Sequence, residues 1–273
     1  MSEQCDQKCA DCSADCSERK ACPDFQGANS KVRKVVGVVS GKGGVGKSLV
    51  TALLASALSK KGLKTAVLDA DITGPSIPRL FGLHNMVLSN GKFIQPACTQ
   101  GGIRAISMNL CLPDEQDPVV WRGPLIAGVV KQFWEEVDWG EVDCMFVDMP
   151  PGTGDVPLTV FQTLPVKGIV VVTTPQELAG MIVAKAVRMA ELMHIPVLGL
   201  VENMAYYQCP DCGAQHEIFG KSRLQETAAS FGISTTARIP IDPRLAALCD
   251  QGKIEDFDAG EWLGAVTDVV CGL

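Results

Sequence analysis

The apolar residues of this chain fall in short unbroken runs separated by longer amphipathic stretches. The first run, Val35, Val36, Val38 and Val39, has no polar alternation and predicts a strand buried on both faces. Runs at Thr65 to Leu68, Val142 to Val147, Ile169 to Val172, Pro196 to Val201 and Thr236 to Ile239 predict further strands. Between them, Leu49, Leu53, Leu54, Ala57 and Leu58 predict one helix, and Leu125, Ile126, Val129, Val130 and Phe133 another that starts at Gly123. Trp121, Trp134 and Trp139 are expected to pack around that second helix. A further helix is predicted from Leu178 to Met193, with Met181, Met189 and Met193 in the core. The stretch from Lys221 onward reads as a helix, a short strand and two closing helices, with Cys249 and Cys271 as structural residues. Residues 80 to 120 break the rhythm with Gly, Pro and Asn, and predict a small hairpin or an irregular excursion in which Cys98 and Cys111 pack.

The punctuation carries the chemistry. The first strand turns directly into Gly41-Lys42-Gly43-Gly44-Val45-Gly46-Lys47-Ser48, a complete G-x-x-x-x-G-K-[ST] motif with strand before and helix after. Glycines are needed there because backbone N–H groups must turn inward on a polyanion, with positive φ and no side chain in the way. Lys47 supplies a point charge to the β and γ phosphates, the Ser48 hydroxyl is placed for Mg²⁺, and the helix aims its positive end at the same anion. The Thr65 strand delivers Asp69 and Asp71 at its C-terminal end, where ligands sit in open parallel sheets. Acids so placed either cap the loop or, with a metal to offset the charge, can position a water molecule beside a phosphate. In Asp148-Met149-Pro150-Pro151-Gly152-Thr153-Gly154-Asp155 the first acid leaves a strand and is a candidate to hold Mg²⁺ through water. The Pro-Pro-Gly beyond it is a hinge able to respond to a phosphate, and Asp155 either pairs with a lysine or caps the next helix.

Composition narrows the classes. The chain has 273 residues, 47% of them hydrophobic, enough for one well-buried α/β domain. A net charge of −7 argues against nucleic acid bound through a broad basic face. No apolar run approaches the roughly 18 residues of a membrane span, and the N-terminus carries Glu3, Asp6, Lys8 and Asp11 without a hydrophobic segment. A cytoplasmic protein with no membrane partner is therefore expected. The 12 cysteines point to metal ligation, because cytosolic thiols stay reduced. Cys5, Cys9, Cys12, Cys16 and Cys22 crowd a tail with few large apolar side chains, and Pro23 to Ser30 reads as a linker. The expected organisation is a cysteine-rich tail and linker over 1–30 and a nucleotide-binding domain over 31–273. The tail binds a soft metal, possible ligands being Cys9, Cys12, Cys16 and Cys22, or it binds adventitious metal or none. Near the other end, Cys209-Pro210-Asp211-Cys212-Gly213 forms a knuckle that presents two thiolates to one metal, with His216 as a possible third ligand; a redox disulfide is the rival.

Four separated segments together resemble one family. The early Lys42 in Gly41-Lys42-Gly43-Gly44-Val45-Gly46-Lys47-Ser48 is similar to the deviant P-loop ATPases, which include septum-site, plasmid-partition and nitrogenase iron proteins. Asp69 to Ser76, Asp148 to Asp155 and Cys209 to Cys212 resemble the Mrp-type iron–sulfur proteins within that group. The resemblance runs from about residue 31 to the end. It implies a P-loop NTPase fold, α/β with a doubly wound, mostly parallel sheet, and a homodimer in which Lys42 reaches the partner's nucleotide. It further implies Asp71 as the switch carboxylate, Asn203 as the residue that reads adenine, and ATP with Mg²⁺ as ligands. Two copies supply four thiolates, so Cys209 and Cys212 of each would hold one bridging 4Fe-4S cluster. The function implied is a cluster carrier or scaffold that delivers to apo iron–sulfur proteins, with slow ATP hydrolysis and, as a further option, a related P-loop partner. The tail departs from that of the cytosolic scaffold members, which ends in Cys-x2-Cys-x5-Cys, because Cys16 intervenes between Cys12 and Cys22. An ATP-driven reductase, a spatial-organising ATPase and a structural zinc protein are the alternatives.

Overall fold

The computed structural model describes residues 30–71, 74, 76–84, 87, 93–112, 123–152, 154–176 and 179–273. The tail cysteines, Trp121 and Leu178 lie outside the described residues. Strands are β1 (Lys31–Val32), β2 (Val35–Ser40), β3 (Thr65–Asp69), β4 (Ala97–Cys98), β5 (Arg104–Ile106) and β6 (Glu141–Val142), followed by β7 (Cys144–Asp148), β8 (Val166–Thr173), β9 (Val197–Glu202), β10 (Tyr207–Gln208), β11 (Gln215–His216) and β12 (Thr236–Arg238). Helices are α1 (Lys47–Lys60), α2 (Ser76–Leu80), α3 (Gly123–Glu136), α4 (Asp155–Thr163), α5 (Ala179–Leu192), α6 (Leu224–Ser230), α7 (Pro243–Asp250) and α8 (Gly260–Gly272).

Eight strands form one sheet in the order β12-β9-β8-β2-β7-β3-β5-β4, parallel throughout except for the β4–β5 hairpin at one edge. Alternate residues of each central strand feed two separate cores. Val35, Leu68, Met145, Val147 and Val171 face one layer with α3, α4, α5 and α6. Val36, Val67, Phe146 and Val172 face the other with α1, α2, α7 and α8. Helices on both faces explain why the strand sequences lack polar alternation. The chain leaves β2 toward β3 and later returns to its other side as β8, so the order reverses at β2. Such a reversal opens a crevice at the C-terminal strand ends, where Ser40, Asp69, Asp148, Thr173 and Glu202 all emerge.

The structure corrects three sequence-based expectations. The strand expected over Val142 to Val147 is two: Glu141–Val142 pairs with β1, and Asp143 breaks the run before β7. Met181 is 61% exposed, because it lies in line with exposed Lys185, Arg188 and Leu192, on the side of α5 opposite the inward Val183, Ala186, Val187 and Ala190. Cys98 is exposed on the edge strand, whereas Cys111 packs on the core and burial pushes its thiol up to about 11. Asp155 is the first residue of α4, after the N-cap Gly154. Among the described residues no helix is long and apolar enough to cross a membrane.

Candidate functional site: a phosphate cradle and a thiol knuckle

The glycine loop joins β2 to α1 at the sheet's crevice. Gly44 and Gly46 have φ of 79° and 82°, the left-handed region that opens the backbone N–H groups inward. Gly46 also permits a close approach, since a Cβ there would stand 2.2 Å from Asn203 Nδ2. A Cβ on Gly41 would stand 1.7 Å from Ile182 Cγ2, so α5 presses directly on the loop. The loop is therefore held closely at its two ends, Gly41 and Gly46. A cleft of about 610 Å³ opens beside it, lined by Gly43, Gly44, Lys47, Ser48, Asp71 and Arg79 among others.

At the centre stands Asp148, fully buried at the end of β7. Lys47 Nζ donates to its Oδ1 at 2.8 Å, Thr51 Oγ1 to the same oxygen at 2.9 Å, and Ser48 Oγ to Oδ2 at 2.6 Å. Lys47 also lies 3.4 Å from Asp71 Oδ2. A buried carboxylate of this kind is stable only because it is fully paired. Its neighbour Asp69 is not: Oδ1 accepts from the Asp71 N–H at 3.0 Å, but Oδ2 is buried without a hydrogen-bond partner. Burial first, and the Asp148 charge second, push the Asp69 carboxyl well above the usual carboxylate range. Burial also pushes Asp148 up, opposed by Lys47, Ser48 and Thr51. Of the two, Asp148 has the donors that support a charge and Asp69 Oδ2 lacks them. The donor set suits a polyphosphate with a divalent cation: a lysine, a hydroxyl and the glycine-loop N–H groups would serve the anion, and Ser48 with the carboxylates of Asp71 and Asp148 would serve the metal.

The raised Asp69 carboxyl has a consequence for stability. The folded chain holds a proton there that the unfolded chain releases near pH 4, so wild-type stability falls as pH rises from that value toward the folded pKa. Asp69→Asn carries no such penalty. Thermal unfolding of the nucleotide-free protein should find the Asn variant more stable at neutral pH, with the gap closing as pH approaches 4.

The other sequence-predicted residues distribute around this centre. Lys42 turns back to donate to Gln176 Oε1 after β8. Asn203, at 2% exposure, donates from Nδ2 to the Val45 carbonyl at 2.9 Å, so its amide holds the loop directly. That contact was hidden from sequence reasoning, which assigned Asn203 to a base alone. Cys209 and Cys212 sit elsewhere, on the turn of the antiparallel β10–β11 hairpin. The turn is closed by Cys209 N–H to Ala214 O and Gly213 N–H to Cys209 O, both 2.9 Å, with Gly213 at φ 72°. Both thiols are free, and residues 210–221 are exposed throughout. Backbone N–H groups of Cys212 and Asp211, then the Cys212 thiol, hold the Cys209 thiol below its usual range. That favours the thiolate, the form that binds metal. His216 does not complete a site: among the described residues no three His, Cys, Asp or Glu side chains are grouped to hold a metal.

Comparison with known proteins places the chain among relatives. The ParA family, described as the NUBPL iron-transfer P-loop NTPase, matches residues 31–268. The chain is 46% identical over 261 residues to an iron-sulfur cluster carrier protein of Clostridium perfringens, covering 92% of each. A nucleotide-binding protein from Archaeoglobus fulgidus in complex with ADP superposes with a TM-score of 0.75 at 45% identity, over 82% of this chain and 88% of that one. The septum site-determining protein MinD of Pyrococcus horikoshii, solved with Mg-ADP, shares the fold, with a TM-score of 0.64 at 17% identity over 88% and 96% of the two chains. A match over residues 31–268, with 46% identity to a carrier across most of both chains, means that this protein belongs to the ParA family of NUBPL iron-transfer P-loop NTPases.

Proposed function

We propose that the chain is an ATP-binding carrier of iron–sulfur clusters that works as a homodimer in the cytoplasm. Each copy contributes Cys209 and Cys212, and the pair of knuckles holds one 4Fe-4S cluster for transfer to apo iron–sulfur proteins. The observation that carries this reading is the exposed turn with two free thiols, one of them biased to thiolate, and no third ligand grouped with them among the described residues. Two half-sites meeting on a two-fold axis complete a four-thiolate set. Four thiolates at an exposed interface can also open again, as delivery requires.

The nucleotide site works through groups already in place. Gly41, Gly43, Gly44, Val45, Gly46, Lys47 and Ser48 of one copy, with Lys42 of the other, hold the phosphates, and Asn203 is the candidate to read the base. Lys47 exchanges Asp148 for the β and γ phosphates, freeing that carboxylate, with Ser48 and Asp71, for the metal shell. When bound, Mg²⁺ offsets the charge between phosphate and carboxylates. Asp71 orients the attacking water in a slow hydrolysis, and Lys42 leaves Gln176 to reach the partner's nucleotide. The domain spans 31–273, behind a tail and linker over 1–30. Cys9, Cys12, Cys16 and Cys22 are candidates for a second cluster and lie outside the described residues.

Transfer is the direct test. Anaerobically loaded protein should restore the visible spectrum of an apo ferredoxin in the presence of a chelator that captures free iron. Cys212→Ser should abolish this transfer. If the acceptor fills equally fast from free iron and sulfide, the carrier reading is wrong.

A further inference from the structure

The two features described above are joined through one side chain. Glu202 ends β9 with its side chain 3% exposed, and its Oε2 has no hydrogen-bond partner. The cation beside it is Arg238, its register partner on β12, with Nε 3.4 Å from Glu202 Oε2. A carboxylate so deeply buried cannot give up this facing charge cheaply, so Arg238 is fixed at that end. A second guanidinium nitrogen, Nη2, lies 3.5 Å from Glu217 Oε1, and the guanidinium carbon sits 5.2 Å from the centre of the Tyr206 ring. Tyr206 immediately precedes β10 and Glu217 immediately follows β11. One guanidinium therefore grips both feet of the hairpin that carries Cys209 and Cys212.

On the other side, Glu202 is bonded directly to Asn203, whose amide holds Val45 of the glycine loop. The next residue, Met204, has φ 56°, a left-handed conformation that a non-glycine side chain disfavours. The backbone is anchored again at Ala205, whose N–H donates to Ile239 O at 2.9 Å, and at Tyr206, whose carbonyl accepts from the Ile241 N–H at 2.7 Å. A strained joint thus lies between the residue that touches the loop and the first foot of the hairpin.

We propose that Arg238 is a positioning residue that carries the nucleotide state of the glycine loop to the thiol knuckle, through Asn203 and Glu202 on one side and Tyr206 and Glu217 on the other. The proposal rests on the carrier reading for its purpose, not for its geometry. Movement of the Val45 and Gly46 backbone on nucleotide binding displaces Asn203, and with it Glu202. The planar fork of Arg238 then re-aims the hairpin and the sulfur atoms at its tip.

Arg238→Lys tests this without unpairing Glu202, because an ammonium keeps the charge but cannot span two carboxylates and stack on Tyr206 at once. Glu217→Gln cuts the exposed arm alone and leaves the buried pair intact. Hydrogen–deuterium exchange over residues 206–217 of the full chain, free of cluster, is measured with and without ATP. Wild type should change its exchange in this segment on ATP addition. Both variants should bind ATP with wild-type affinity and show no such change. After loading, their ratio of transfer rates with and without ATP should fall to unity. Variants that respond as wild type does, or a wild-type hairpin indifferent to ATP, would overturn the relay. Should the chain load no cluster, the carrier reading fails, while the exchange measurement still decides the relay.

Discussion

Lys47→Ala is expected to weaken ATP binding by about two to three orders of magnitude, the value of losing charge-assisted bonds to two phosphates. Isothermal titration with ATP and Mg²⁺ checks it. The same change removes the lysine from Asp148, which is wholly buried, and leaves that carboxylate with only the Ser48 and Thr51 hydroxyls. A further cost of about 3 to 5 kcal/mol in stability follows from breaking a buried pair. Lys42→Ala separates the two roles. Lys42 reaches only Gln176 within the described chain, outside the buried cluster, so its removal should spare both folding and ATP affinity in cis while lowering hydrolysis. Unchanged ATP affinity in a folded Lys47→Ala protein would contradict the site as drawn.

The second large effect falls on the knuckle. Cys209→Ser should lower the iron retained after anaerobic reconstitution and desalting by about four per dimer, leaving only what the tail holds. A hydroxyl has little affinity for iron beside a thiolate, and one lost ligand per copy takes two from the shared site. ATP binding should be untouched, since the hairpin tip contributes nothing to the phosphate cradle. Iron and acid-labile sulfide are counted on the same samples. Retention of the full complement by Cys209→Ser would move the cluster elsewhere.

Much of this architecture was legible in the sequence because its signals are local. Val35 to Val39 reads as a doubly buried strand from its own residues, and the glycine loop carries its geometry in its spelling. Asp69, Asp71 and Asp148 are recognisable from their places at strand ends. What the sequence hid were consequences of register and of three-dimensional neighbours. Asp143 could not be seen to split a strand until β6 was found pairing with β1. The helical spacing of Met181, Met189 and Met193 is real, yet only the packing of α5 on the sheet decides that Met181 faces outward. Nothing in Glu202 or Arg238, 36 positions apart, announces that parallel pairing of β9 and β12 sets them side by side. Likewise the amide of Asn203 meets the Val45 carbonyl only because β9 and β2 end at the same crevice.

The central claim is that two copies of the chain share one cluster through their knuckles. Native mass spectrometry of anaerobically reconstituted protein, with Cys5, Cys9, Cys12, Cys16 and Cys22 all changed to serine, addresses it directly. The expected species is a dimer heavier than two chains by the mass of one 4Fe-4S unit. Monomers that each carry their own metal, or chains lighter by the hydrogens lost to a Cys209–Cys212 disulfide, would contradict it.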